Sequence, residues 1–272
     1  MTGATKSDIG ARVREWRELR RLSQLELSLE AGVSSRHLSF VETGRSKPGR
    51  EMLMRVLREL DVPFRERNQL LLAAGHAPAF AQRPLDHPEL APVRDALDLV
   101  LTGHEPYPAI VVDRGWNLVA ANSGVLAVTQ GIEIDPELLD PPLNAVRLSL
   151  HPGGLAPIIV NIGAWRTFFR ERLERQLALT GDRQLAELIT ELEGYADADG
   201  ESGDQSLSEG PGPLKLRAEP HGELSFFGMF ASFDAPFEVT TSELAIELLF
   251  PADGETARAL EPDAASATAT TQ

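Results

Sequence analysis

Residues 7–21 place Ile9, Val13, Trp16 and Leu19 on one face at helical spacing, with Arg12, Arg14, Arg17, Arg20 and Arg21 spread over the remainder, the pattern of an amphipathic helix. The apolar groups then shorten. In Leu22 to Pro48, LSQLELSLEAGVSSRHLSFVETGRSKP, Ser23 and Glu26 stand at the spacing of a capping box that opens a second helix. Gly32 can take the left-handed conformation that stops it. Ser34 caps a third helix, flanked by Val33 and Leu38 in the positions of a hydrophobic staple, and Gly44 closes it. Leu27, Ala31, Leu38 and Val41 are the expected core positions. Leu53, Val56, Leu57 and Leu60 mark a fourth helix and residues 64–74 a fifth, stopped by Gly75. Two short helices joined by a glycine turn, the second presenting small polar and basic side chains, describe a helix-turn-helix whose second helix enters the DNA major groove.

Residues 76–92 carry four prolines and no periodicity, which places a domain boundary after residue 83. Beyond it Val93, Leu97, Val100 and Leu101 predict a short helix, and AIVVDRGWNLVAAN a β-hairpin turning at Asp113-Arg114-Gly115. The longest helix is expected over 155–178, with Ile158, Ile162, Trp165, Phe169, Leu173 and Leu177 on one stripe, followed by one marked by Leu185, Leu188, Ile189 and Leu192. The acidic, Gly/Ser-rich residues 195–211 read as a mobile loop. PLKLRAE, ELSFFGMFASF and FEVTTSELAIELLF predict three antiparallel strands. The expectation is a multi-domain chain. An all-α five-helix domain (1–83) precedes an α+β domain (84–252) with an antiparallel sheet and helices gathered on one side, and a disordered tail (253–272) follows.

Charge sharpens this division. The chain of 272 residues carries a formal net charge of −15, yet residues 1–83 hold 15 Lys+Arg against 10 Asp+Glu, net +5, and residues 84–272 hold 11 against 31, net −20. A basic head suits phosphate contacts, and an acidic remainder would face away from the duplex. The chain has no cysteine, which excludes disulfides and thiolate metal sites. It has no run of about 18 apolar residues that could span a bilayer, and its first ten residues lack an apolar signal region. A cytoplasmic protein without membrane contact is expected. The six histidines, at 37, 76, 87, 104, 151 and 221, form no H-E-x-x-H pattern, and neither a P-loop nor a G-x-S-x-G occurs. No enzyme, metal or cofactor is expected.

Leu22, Ser23, Gln24, Leu27, Ala31, Gly32, Val33, Ser34, Glu42, Gly44 and Pro48 make residues 8 to about 75 resemble the XRE (phage-repressor-like) family of DNA-binding domains. Ser28, where the family usually has Ala, and Gly49, where a capping Ser or Thr is common, depart from the pattern, and both are small. The resemblance implies double-stranded DNA as partner. Gln24 would meet the phosphate backbone or a base edge. Ser34 and Ser35 open the recognition helix, and Arg36, Ser39 and Phe40 lie on its exposed side. Arg36 is suited to a bidentate pair with guanine and Phe40 to a thymine methyl, whereas Arg45, Lys47 and Arg50 are phosphate partners. Glu42 is given a structural role between helices. Because one such motif reads few base pairs, a homodimer on an inverted repeat is expected.

The segments HEPYPAIVVDRGWNLVAAN (104–122) and NAVRLSLHP (144–152), with the terminal strands around 224–250, resemble the ligand-binding domain of MmyB-like regulators. That resemblance implies a PAS-like fold and a fatty-acid-like ligand. Candidate wall residues are Trp116, Ile158, Ile162, Trp165, Phe169, Phe227 and Phe230, within an excess of large apolar side chains that also includes Phe168, Phe226 and Met229. Arg147, His151, Arg166 and Arg170 are the candidates to meet a carboxylate. The alternative is an acidic domain that serves only as a protein-docking or dimerisation module.

Overall fold

The computed structural model describes residues 8–198, 212–233 and 238–261. The chain divides into two compact units, Met1–Pro84 with Ala178–Gly181 and Ala235–Ser242, and Leu85–Leu177 with Asp182–Asp234 and Glu243–Gln272.

The first unit holds α1 (Asp8–Leu19), α2 (Gln24–Glu30), α3 (Ser35–Glu42), α4 (Arg50–Glu59) and α5 (Phe64–Ala73). The capping box at Ser23 forms in both directions: Glu26 N donates to Ser23 Oγ at 3.1 Å and Ser23 N to the Glu26 carboxylate at 2.7 Å. Those hydrogen bonds, the backbone one first, hold the Glu26 carboxyl below its usual range. Gly32, Gly44 and Gly75 all stop helices at positive φ. Val13, Leu27, Leu38, Leu53, Leu57 and Leu70 fill the core. Close approach of α1 to α3 rests on Gly10, where a Cβ would stand 2.3 Å from the Val41 carbonyl oxygen. Residues 76–83 are tied to this unit: Phe80 stacks on Phe64 with centroids 4.0 Å apart, and the Asn68 amide bonds Ala79 N, Phe80 N and Phe80 O.

In chain order the second unit then contributes α6 (Ala91–Gly103), β1 (Ala109–Val112), β2 (Leu118–Ala121), α7 (Ser123–Thr129), α8 (Ala145–Leu150), α9 (Ile162–Thr180, up to Leu177), α10 (Arg183–Ala198), β3 (Leu214–Ala218) and β4 (Gly222–Ala231). The short α11 (Val239–Ser242) falls in the first unit, and β5 (Ala245–Pro251) and α12 (Gly254–Leu260) complete the second. The five strands form one antiparallel sheet ordered β2-β1-β5-β4-β3. Alternation along the strands separates two faces. Ile110, Val112, Leu249, Phe226 and Phe230 point toward the core that includes Trp165, Phe169 and Leu173 of α9. Ala109, Val111, Ile246 and Leu248 pack with Leu97 and Leu101 of α6.

Four expectations are corrected. Helices cover both faces of the sheet, because α6 takes the second one. The longest helix starts at Ile162, not 155: residues 156–158 form a single 3-10 turn containing Pro157, and Ile159 bridges to Leu216 of β3. The last strand is shorter than FEVTTSELAIELLF, since residues 239–242 are helical, with the Glu238 carboxylate accepting from Thr241 N at 3.3 Å. The tail does not begin at 253. Asp253 caps α12, accepting from Thr256 N at 2.7 Å, and Thr256 and Leu260 are buried. Residues 262–272 lie outside the described residues, as do 199–211 of the expected loop, whose first residues 195–198 finish α10.

Candidate DNA-binding surface and ligand cavity

On the first unit, Ser34, Ser35, Arg36, Arg45, Lys47 and Arg50 are exposed, and Ser39 and Phe40 half-buried. The Ser34 hydroxyl accepts from His37 N at 3.4 Å, which aims the first turn of α3. The Arg36 guanidinium lies over the Phe40 ring, 5.4 Å from its centroid. This cation–π contact rests the exposed arginine on an aromatic face and covers part of the ring. One guanidinium nitrogen of Arg50 donates to the Ala77 carbonyl.

Gln24 differs most from expectation. Its amide Nε2 donates to Glu42 at 2.8 Å, inside a network in which Glu42 also accepts both arms of Arg17 at 2.8 and 2.9 Å, while Arg17 Nη1 donates to the Leu22 carbonyl at 2.8 Å. The Glu42 hydrogen bonds raise the Arg17 pKa further. Through this bond Gln24 fixes α2 to α3 with one amide N–H, which leaves its second N–H and its amide oxygen uncommitted. Glu42, buried at 1% side-chain exposure, joins α1, α2 and α3 through these bonds.

The second unit contains a partly open cavity of about 150 Å³ bounded by β1, β2, β3, β5 and the helices α7, α8 and α9. Of the expected wall residues, Ile158, Trp165 and Phe169 line it. Trp116 does not. It is buried nearby at φ +65°, edge-on to Phe169 and Phe230, with its indole N–H donating to Gln176 at 2.9 Å. Ile162 and Phe230 pack on the same core without lining the cavity. Phe227 is corrected: strand alternation turns it to the other face, paired with Phe250 and 55% exposed, while Phe226 points inward fully buried.

None of the candidate carboxylate receptors lines the cavity. Arg147 binds Glu191 through two arms at 2.6 and 2.7 Å. This raises the arginine pKa and lowers that of Glu191, in each case chiefly through the hydrogen bond. His151 accepts from Gly153 N at 2.9 Å and stands edge-on to Tyr195. Arg166 is half-buried on α9 and Arg170 exposed.

Among the described residues the one ionisable group lining the cavity is Glu247, which no motif in the sequence marks. On β5 it sits between Ile110 of β1 and Phe230 of β4, deep in the protein, keeping surface toward the cavity it lines. Burial pushes its carboxyl up to about 7, moderated by Arg172. Arg172 itself lies over Phe230, 3.6 Å from the centroid, and 5.3 Å from that of Trp116, and burial lowers its pKa. Glu247 could have been found by its parity: in AIELLF apolar residues occupy both faces, so a strand with both sides covered must place its lone glutamate inside. Among the described residues no group of three His, Asp or Glu could hold a metal, and no helix is long and apolar enough to cross a membrane.

Two family models match the chain, a helix-turn-helix over residues 13–67 and an MmyB-like transcription regulator ligand binding domain over residues 93–262. A comparison with curated proteins finds no match. Among solved structures, the clp gene regulator ClgR from Corynebacterium glutamicum is 23% identical, covering 37% of this chain and 94% of its own, with a TM-score of 0.23. An RNA-binding light-oxygen-voltage receptor is 13% identical, covering 95% of this chain and 63% of its own, with a TM-score of 0.27.

Proposed function

The chain belongs to the transcription regulators with an MmyB-like ligand-binding domain, here behind a helix-turn-helix head, and on that premise we propose how it works. The first unit docks α3 in the major groove as a homodimer on an inverted repeat. Arg36 reads a base, Ser34, Ser35 and Ser39 make closer polar contacts, Phe40 offers an apolar face, and Arg45, Lys47 and Arg50 hold phosphates. The second unit, a PAS-like sensor, takes an apolar molecule into its cavity, and occupancy alters DNA affinity in a cytoplasmic regulator.

The observation that carries the sensor reading is the cavity: about 150 Å³ of apolar-lined space with, among the described residues, a single ionisable wall residue. Apolar cavities of about this volume hold a molecule the size of benzene. A fatty-acid-like ligand is supported by the apolar lining; the cavity itself holds about six to eight heavy atoms, and a 14-carbon acid would have to extend beyond it. A covalent route to the DNA-binding unit is short. Val239 N donates to the Ala81 carbonyl at 2.9 Å and Thr240 Oγ1 to that of Arg83 at 2.6 Å, and Ala245, just beyond Ser242, begins the strand that carries Glu247. Regulation requires the ligand to prefer one of two arrangements, since equal affinity for both shifts nothing.

The test is calorimetric titration of the full-length chain with C6 to C14 fatty acids, in parallel with its affinity for a selected DNA duplex. Heat accompanied by a changed DNA affinity is expected. No heat would remove the sensor reading, and heat without a change would remove the coupling. The docking alternative is favoured by one observation: Phe227, Met229 and Phe250 are 55%, 48% and 39% exposed on the outer face of β4 and β5, the kind of patch that marks a protein contact. A chain that stays dimeric after Phe227→Ser and Phe250→Ser would exclude that face as the dimer contact.

A further inference from the structure

The cavity's polar groups are not equivalent. The Thr129 hydroxyl donates to the Val125 carbonyl at 2.8 Å and the Ser149 hydroxyl to that of Ala145 at 2.7 Å, so both have given their protons to their own helices. Glu247 has two acceptor oxygens, and among the described residues no hydrogen bond or ion pair engages them. Its surroundings are otherwise apolar. Ile110 and Phe230 flank it on the neighbouring strands, Leu249 follows on its face, Val128 and Leu148 line the same space, and α9 supplies Arg172, among the described residues the one charged group whose field reaches it. A buried carboxyl without partners is costly to maintain. Here it stands where an occupant of the cavity would supply the missing partner.

We propose that Glu247 is the head-group receptor of this cavity, and that the molecule the cavity selects is a compact apolar one that donates a hydrogen bond. This rests on reading the cavity as the ligand site. It reverses the head-group chemistry expected from sequence, which looked for cations to meet a carboxylate. A ligand carboxylate beside Glu247 would place two negative charges in one apolar space, where two such groups cannot both ionise. An acid therefore enters only with a proton, shared between its carboxyl and Glu247; where Glu247 is ionised in the free protein, binding takes that proton from solvent. A cationic amine would bring a second positive charge to a carboxylate that already has Arg172 nearby. A neutral hydroxyl donates without either cost. The ligand class is an alcohol or phenol of about six to eight heavy atoms, with a carboxylic acid of that size accepted in its protonated form.

The experiment compares two isomers on the full-length protein: 1-hexanol, which donates a hydrogen bond, and methyl pentyl ether, which has the same atoms and cannot. Calorimetry at pH 8, where Glu247 is an ionised acceptor, should show at least tenfold tighter binding of the alcohol. Hexanoate should bind with a proton uptake that grows toward one between pH 6 and 8, measured by titration in buffers of different ionisation enthalpy, and its affinity should weaken over the same range. Glu247→Leu should remove the preference for alcohol over ether, and Glu247→Gln, which keeps the shape and one acceptor oxygen, should retain part of it. Equal binding of alcohol and ether by the wild type overturns the proposal and leaves the apolar cavity reading standing. So does a preference that survives in Glu247→Leu, since the receptor is then elsewhere. Should Glu247→Leu not fold, the isomer comparison on wild type and the proton uptake by hexanoate decide. Binding of none of the three probes overturns the proposal and the cavity reading together.

Discussion

Glu42→Ala should damage the DNA-binding unit more than any surface substitution on it. The carboxylate is 1% exposed and the Arg17 guanidinium 10%, and three side-chain hydrogen bonds of 2.8 to 2.9 Å converge on Glu42 from α1 and α2. With it gone, Arg17 retains the Leu22 carbonyl at 2.8 Å and Glu18 at 3.7 Å, the latter half-exposed. Removing one partner of a buried pair costs roughly 3–5 kcal/mol, because the other charge is stranded. Glu18 can swing toward Arg17, so a value near the lower end, about 3 kcal/mol, is expected. Hydrogen exchange of the α1–α3 amides in the full-length chain, read by mass spectrometry, reports the opening free energy of this unit separately from the other. Arg17→Met with Glu42→Leu should restore much of the loss, since replacing both members leaves no unpaired charge. A loss below about 1 kcal/mol for Glu42→Ala, or a double variant as unstable as the sum of the singles, would refute the reasoning.

Gly10→Ala should destabilise the same unit by at least the roughly 1–3 kcal/mol typical of overpacking, because its Cβ meets backbone at 2.3 Å and not a movable side chain; exchange at α1 and α3 reads it. Glu247 gives the second unit a signed pH dependence. Its folded carboxyl, near 7, is raised above the unfolded value, so its contribution is fully present below about pH 4.3 and is lost as pH rises through 7. Wild type minus Glu247→Gln, followed by urea unfolding between pH 4 and 8, should therefore show wild type losing ground by an amount on the order of 3–4 kcal/mol, and a flat difference would contradict it. Arg36→Ala should cost about 1–3 kcal/mol on the specific duplex, whereas Lys47→Ala weakens all sequences alike and lowers the salt slope by about 0.9; anisotropy at several salt concentrations separates the two. Arg147→Ala should leave 1-hexanol affinity unchanged, since that side chain is held by Glu191 away from the cavity wall.

The helical unit was legible because its ends are written in residues that act locally. Ser23 with Glu26, Ser34, Gly32, Gly44 and Gly75 each form the cap or stop that their type and spacing demand. Gly10 and Gln24 were not, since their roles depend on a helix that approaches from elsewhere in the chain. In the second unit local pattern failed wherever a face had to be chosen. Counting aromatics put Phe227 in the pocket, although its neighbour Phe226 takes the inward position and excludes it. The arginine candidates were chosen by charge, but Arg147 had a carboxylate partner 44 residues away that no local window reveals. The start of α9 was displaced because Ile158 and Ile162 keep helical spacing across a 3-10 turn that contains Pro157. Glu247 carried a signal in its parity, but only once a second covering layer, α6, was known to lie on the other side of the sheet.

The central claim, a sequence-reading head, is tested most directly by selecting bound duplexes from a random library with the full-length chain and with Arg36→Ala. The account predicts convergence on an inverted repeat with half-sites about 10 bp, or a multiple, apart, and altered preference at one position of each half-site for Arg36→Ala. Recovery of unenriched sequences by the wild type, or the same repeat unchanged for the variant, would contradict it.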